Sequence, residues 1–145
     1  MAIAATILLA GCGGDQKIVG SWKAQSFYTT QRRVETRTFN KDGSYTDVAV
    51  ISKPGSKATL TATDVGTWKP NGGDTYAVTV SDIDWVPTGA PPALLKRARD
   101  HFAKEKPKLL DGARKGSAKL TVQWVTDKSF TADEAGQKTT FQRVN

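Results

Sequence analysis

A four-residue phrase occurs twice in this chain, as Gly20-Ser21-Trp22-Lys23 and as Gly66-Thr67-Trp68-Lys69. In each copy a glycine is followed by small, aromatic and charged residues in alternation. A period of two is the signature of a strand with one buried face. Trp22 and Trp68 fall on one side of their strands, Lys23 and Lys69 on the other. Such strands need partners to bury the indoles, so the phrase points to an antiparallel sheet that curls onto itself around its tryptophans.

The partners are legible as short alternating segments broken by Gly, Pro, Asn and Asp. Ile18 to Tyr28 is a first strand, with Trp22, Ala24, Ser26 and Tyr28 on one face. Arg32 to Phe39 returns with Arg33, Glu35 and Arg37 on one side. Asn40-Lys41-Asp42-Gly43 is a hairpin turn, since Asn and Asp favour the turn and Gly accepts positive φ. Ser44 to Ile51 carries Tyr45, Lys57 to Lys69 is a long strand bent at Gly66, and Thr75 to Ile83 places Tyr76, Val78 and Val80 together. After a break, Ala118 to Thr126 carries Leu120, Val122 and Trp124. Ser129 to Asp133 and Gln137 to Val144 close the chain. The expected fold is all-β with a helical insertion: an up-and-down antiparallel barrel or half-barrel of about eight strands.

The insertion occupies residues 85–117, with an amphipathic helix at about 90–106. Pro91 and Pro92 suit a helix start, and Pro107 argues for a stop at Lys106. Leu94, Leu95, Ala98 and Phe102 fall within about 100° of the helix circumference, and Lys96, Arg97, Arg99, Asp100 and Lys104 take the rest. The formal net charge is +7. Residues 91–119 hold nine basic and three acidic side chains, so +6 of that excess sits in this one segment. Two roles are open to it. Leu94, Ala98 and Phe102 can form a lid over one end of the barrel, which is the expected role. Alternatively, the basic face of Lys96, Arg97, Arg99 and Lys104 meets anionic head groups or an acidic partner protein.

The N-terminus carries an address. Ala2 to Ala10 is a short apolar run that ends in Leu9-Ala10-Gly11-Cys12. This resembles the bacterial lipoprotein signal, which is cut before a cysteine that then receives lipid. The resemblance implies a signal peptide over 1–11, a lipidated Cys12, a tether over 12–17 and a domain over 18–145. It implies a bacterial cell-envelope protein, lipid-anchored in a membrane. Position 13 is glycine and not aspartate, so the outer membrane facing the periplasm is expected if the source is Gram-negative. Acyl chains contribute about 0.8 kcal/mol per buried methylene. With one cysteine in the sequence, no intramolecular disulfide forms.

Together, Gly20-Ser21-Trp22-Lys23, Phe39-Asn40-Lys41-Asp42-Gly43-Ser44-Tyr45, Gly66-Thr67-Trp68-Lys69, Trp124 and the closing Lys138-Thr139-Thr140-Phe141-Gln142-Arg143-Val144 resemble the small lipocalin-like lipoproteins of bacteria. The resemblance covers about residues 18–83 and 118–145, and residues 85–117 depart from it. It implies a calycin-type barrel, in a family mostly of unassigned role. An eight-stranded barrel has an interior that side chains fill or that holds one small ligand. A ligand inside would meet Trp22, Tyr45, Trp68, Tyr76 and Trp124, although each tryptophan more often serves structure.

No catalytic set stands out. His101 is alone on a helix flank, Asp82 and Asp84 mark a solvated strand end, and no phosphate loop, nucleophile elbow or zinc spacing is present. The expectation is a non-enzyme without metal or cofactor. Nucleic acid is not an expected partner, because the basic residues lack interleaved aromatics for stacking. Two functions remain: a module that binds a small apolar or amphipathic ligand in the barrel, or an envelope interaction module or inhibitor of an exported hydrolase whose barrel is filled.

Overall fold

The structure, a computed structural model, describes residues 15–115, 118–134 and 136–145. Cys12 and the lipoprotein signal lie outside the described residues. A short helix α1 (Asp15–Ile18) leads into eight strands: β1 (Gly20–Tyr28), β2 (Gln31–Phe39), β3 (Ser44–Ser52), β4 (Thr59–Pro70), β5 (Thr75–Thr88), β6 (Ala118–Thr126), β7 (Ser129–Glu134) and β8 (Gln137–Arg143). A long helix α2 (Pro92–Lys115) separates β5 from β6. Each strand pairs antiparallel with the next, and β8 returns to β1 through Trp22 opposite Arg143 and Lys23 opposite Gln142. The sheet is therefore a closed barrel rather than a half-barrel.

Two boundaries differ from the sequence reading. β5 continues through Trp85, Val86 and Pro87 to Thr88, where the strand pattern had looked finished. Among the described residues, this strand pairs beyond Val78 only with β4, since its register with β6 covers Thr75–Val78. A proline is tolerated on such an edge because no ladder bond is demanded of it there. Likewise α2 does not stop at Lys106 but runs through Pro107 to Lys115. Proline inside a helix removes one hydrogen bond and crowds the preceding turn. Here the segment is held from both sides of the proline, by Lys106 Nζ at 2.8 Å from Asp82 and by Arg114 Nη2 donating to the Ser81 carbonyl at 3.2 Å.

The barrel wall is uneven. β1 to β5 reach high at one end, where Tyr28 faces Gln31, Ser52 faces Thr59 and Thr59 faces Thr88. β6, β7 and β8 stop lower, and α2 lies along the upper half of β5. The bend this requires is made at a bulge in β4. Val65 faces Asp82 while Gly66 faces Val80, so Ser81 is the extra residue. A Cβ at position 66 would come within 1.9 Å of the Thr79 carbonyl oxygen, so glycine is needed for this close approach. At the Asn40–Gly43 turn, Gly43 has φ 83° and Asp42 Oδ1 accepts from the Ser44 backbone N–H at 2.9 Å.

Directly opposed residues of paired strands share a face, so Phe39 and Tyr45 fix the inside. The lower half of the interior is filled. Trp22, Phe39, Tyr45, Trp68, Tyr76, Leu120, Val122, Phe130 and Phe141 are buried there, and Ile18 of α1 closes the bottom. The indoles keep their polar edges satisfied: Trp22 donates to the Ile18 carbonyl at 2.7 Å and Trp68 to that of Asn40 at 2.9 Å. Arg143 lies 4.2 Å over the Trp22 ring and donates to the carbonyls of Lys17 and Val19, which ties the N-terminal entry to the end of the last strand.

Candidate functional site

Above the aromatic floor the inward positions change character. On β2 the residues sharing a face with Phe39 are Arg37, Glu35 and Arg33. On β3 the residue sharing a face with Tyr45 is Asp47, and on β4 it is opposed by Asp64. Glu134, at the upper end of β7, completes the ring. A charged belt therefore lines the barrel where an apolar core would be expected.

Arg37 is the hub. Its side chain is 8% exposed. Its Nε donates to Glu35, and its two terminal nitrogens grip Glu134 as a fork, the Nη2–Oε2 bond being 2.9 Å. The guanidinium also lies 4.8 Å over the Phe141 ring. Burial by itself would discourage the charge, but the hydrogen bonds that Arg37 donates to Glu134 and the nearby negative charges outweigh it and hold Arg37 firmly protonated. Arg33 Nε donates to the second oxygen of Glu35 at 3.0 Å. Burial pushes the Glu35 carboxyl up, yet the charges of Arg37 and Arg33 bring it below the usual range. Asp47 behaves in the opposite way. Burial, reinforced by the charge of Glu35, lifts it to about 8. Burial also raises Asp64.

The belt opens into a cavity of about 300 Å³ lined by Tyr28, Arg33, Glu35, Arg37, Glu134, Gln137 and Thr139. At the tall wall lies a smaller apolar cavity, about 190 Å³, lined by Leu60, Trp85, Pro87, Ala98, His101 and Phe102. Trp85 and Phe102 stack there at 4.7 Å, and this contact seats α2 on the inner face of β5. The upper part of the barrel thus borders two cavities, one lined by charged and polar side chains and one by mainly apolar ones.

The residues singled out in the sequence are distributed as follows. Trp22, Tyr45, Trp68, Tyr76 and Trp124 do come together, but in the filled floor, where Trp22 meets Trp124 and Phe130, and Trp68 meets Tyr76 and Phe39. Of the lid residues, Phe102 is buried, Ala98 borders the apolar cavity and Leu94 is 56% exposed. Leu94 therefore points away from the barrel, and the half-buried Leu95 takes the inner side. Lys96, Arg97, Arg99 and Lys104 are all exposed, with Lys96 paired to Asp100 at 2.6 Å. The belt residues Glu35, Arg37, Asp47, Asp64 and Glu134, and Trp85, were not anticipated as a site. The signal was present: Arg37 and Glu35 share parity with Phe39, and Asp47 shares parity with Tyr45. Among the described residues, no group of three or more His, Cys, Asp or Glu is placed to hold a metal ion.

Compared by sequence with known protein families and with curated proteins, the chain matches none of them.

Proposed function

We propose that the chain is a lipid-anchored cell-envelope protein whose lipocalin-like barrel binds a small amphipathic ligand in its upper chamber. The observation that carries this reading is a buried ionic belt bordering open space. Taking charges out of water costs several kcal/mol per ion, and a well-packed apolar replacement of the same volume is often as stable or more so. Stability alone therefore gives little reason for Arg37, Glu35 and Asp47 inside a barrel, whereas recognition of a polar head group does. The apolar side formed by Leu60, Trp85, Pro87 and Phe102 suits a hydrocarbon tail. The filled floor argues against a deep, wholly apolar ligand site around Trp22 and Trp68. We read the site as one for binding rather than catalysis, because Glu35 and Glu134 are tied to Arg37.

The direct test is native mass spectrometry of the chain purified from bacterial membranes. A bound small molecule that is retained by the native protein and lost in Arg33→Ala supports the reading. Repeated recovery of an empty barrel from the envelope of its host opposes it. Anchoring is tested separately: labelled palmitate should enter the protein and be absent from Cys12→Ala.

A further inference from the structure

The excess positive charge of the chain has a definite place in the fold. Of the formal net charge of +7, +6 lies in residues 91–119. The helix α2 itself carries eight basic residues against three acidic ones. The fold sorts them by side. Glu105 and Lys106 are half-buried, and Lys106 pairs with Asp82 at 2.8 Å. Arg114 reaches back to the Ser81 carbonyl. Arg97, Lys104, Lys108 and Lys115, in contrast, are all exposed.

These four fall in one row. At about 100° per residue, positions 97, 104, 108 and 115 lie within roughly 40° of one another. Leu95, Phe102 and Ala113, on the covered side of the helix, lie roughly 150° round from that row. At about 1.5 Å per residue the row is about 27 Å long. Two carboxylates flank it, and each is already matched: Asp100 by Lys96 at 2.6 Å and Asp111 by Lys115 at 2.5 Å. Among the described residues, Arg97, Lys104 and Lys108 form no ion pair. Lys104 and Lys108 even stand at i and i+4, where like charges weaken a helix. The row therefore does nothing for the stability of α2. Leu94, 56% exposed, stands one turn before Arg97.

We propose that this face of α2 lies on a membrane surface that bears anionic phospholipid. Such a surface offers negative charge to the whole row at once. The row is the convex outer side of a helix, which suits a flat, charged partner that needs no matching groove. Arginine and lysine reach the phosphates while their alkyl stems cover apolar surface. The exposed Leu94 adds an apolar tip at the level of the head groups. The two sides of α2 then have separate tasks. Phe102 holds the helix on the barrel through Trp85, and the basic row holds the barrel on the surface. The belt around Arg37 takes no part, so surface binding and ligand binding are separable.

The test is co-sedimentation of the full-length Cys12→Ala chain, so that no acyl chain contributes, with vesicles of phosphatidylcholine alone or mixed with phosphatidylglycerol. Binding should need phosphatidylglycerol. It should be lost as salt rises from about 0.1 M to about 1 M, where the screening length falls from about 10 Å to about 3 Å. Each basic residue at such a surface strengthens binding about fivefold, so Arg97→Gln, Lys104→Gln and Lys108→Gln together should weaken it about a hundredfold. All three side chains are exposed, and circular dichroism should stay native. A second triple variant, Lys23→Gln, Lys57→Gln and Lys69→Gln, has the same net charge but leaves α2 intact, and should change binding little. Equal losses in the two triple variants would overturn the assignment to α2 and leave only attraction by net charge. No binding to phosphatidylglycerol vesicles at low salt would overturn it as well. Tight binding of polyglutamate without any binding of vesicles would give the face to an acidic protein instead.

Discussion

Replacing Arg37 by methionine is the perturbation whose cost follows most directly from the geometry. The substitution keeps the length and the contact with Phe141 but removes the charge on which Glu35, Glu134 and Asp47 converge. Taking one partner from a buried ionic cluster costs about 3–5 kcal/mol, since the remaining charge is stranded in low dielectric. Against a typical total of 5–15 kcal/mol the barrel should survive. At about 2 kcal/mol per molar urea the midpoint should fall by roughly 2 M, as read by tryptophan emission. The penalty should also depend on pH with a definite sign. Without Arg37, burial raises Glu35, so in mild acid the carboxyl takes up a proton and the stranded charge disappears. The loss should therefore be large at pH 8 and clearly smaller at pH 5. Adding Glu35→Gln and Glu134→Gln to Arg37→Met should recover much of the stability at pH 8. A loss under about 1 kcal/mol, or one equal at both pH values, would refute the claim that these groups form a buried interdependent cluster.

Asp47 has a folded-state pKa of about 8 against an ordinary 3.8, so the folded chain binds the extra proton between those values; urea melts should show stability falling from about pH 5 to pH 8, and Asp47→Asn should flatten that slope. Phe102→Ala should cost about 3 kcal/mol and release α2 from Trp85, seen as faster amide exchange through the helix while β1 to β4 keep their protection. Gly66→Ala should destabilise by about 1–3 kcal/mol or more, because the new methyl meets the Thr79 backbone at the bulge; a thermal melt equal to wild type would contradict the bulge.

Much of the barrel was legible because its strands obey the simplest rule available, period-two alternation between turn residues. All eight strands and their order follow from it, and the Gly-x-Trp-Lys phrases sit on β1 and β4 with both indoles buried. The misread boundaries come from prolines. Pro87 lies on the unpaired edge of β5 and Pro107 in a helix pinned at Lys106 and Arg114, so tertiary contacts override a local prohibition. The charged belt was missed for a different reason. Arg33, Glu35 and Arg37 alternate as a solvated face would, and only the parity of Phe39 shows that this face points inward. Whether such a face is wet or buried depends on which strand closes over it. Here Glu134 arrives from 97 positions away in the chain to close the cluster.

The central claim is that the floor of the barrel is filled and the chamber above it holds the ligand. The four tryptophans divide cleanly between those zones: Trp22, Trp68 and Trp124 below, Trp85 above. A proton–nitrogen correlation spectrum of the full-length Cys12→Ala chain, titrated with decylamine, decanol and decanoate in turn, reports on both zones through the indole signals. Saturable movement of the Trp85 indole and of the Arg33 side-chain Nε, with Trp22 and Trp68 unmoved, is the result expected. Movement of Trp22 and Trp68 with Trp85 still would place the ligand in the floor and contradict the account.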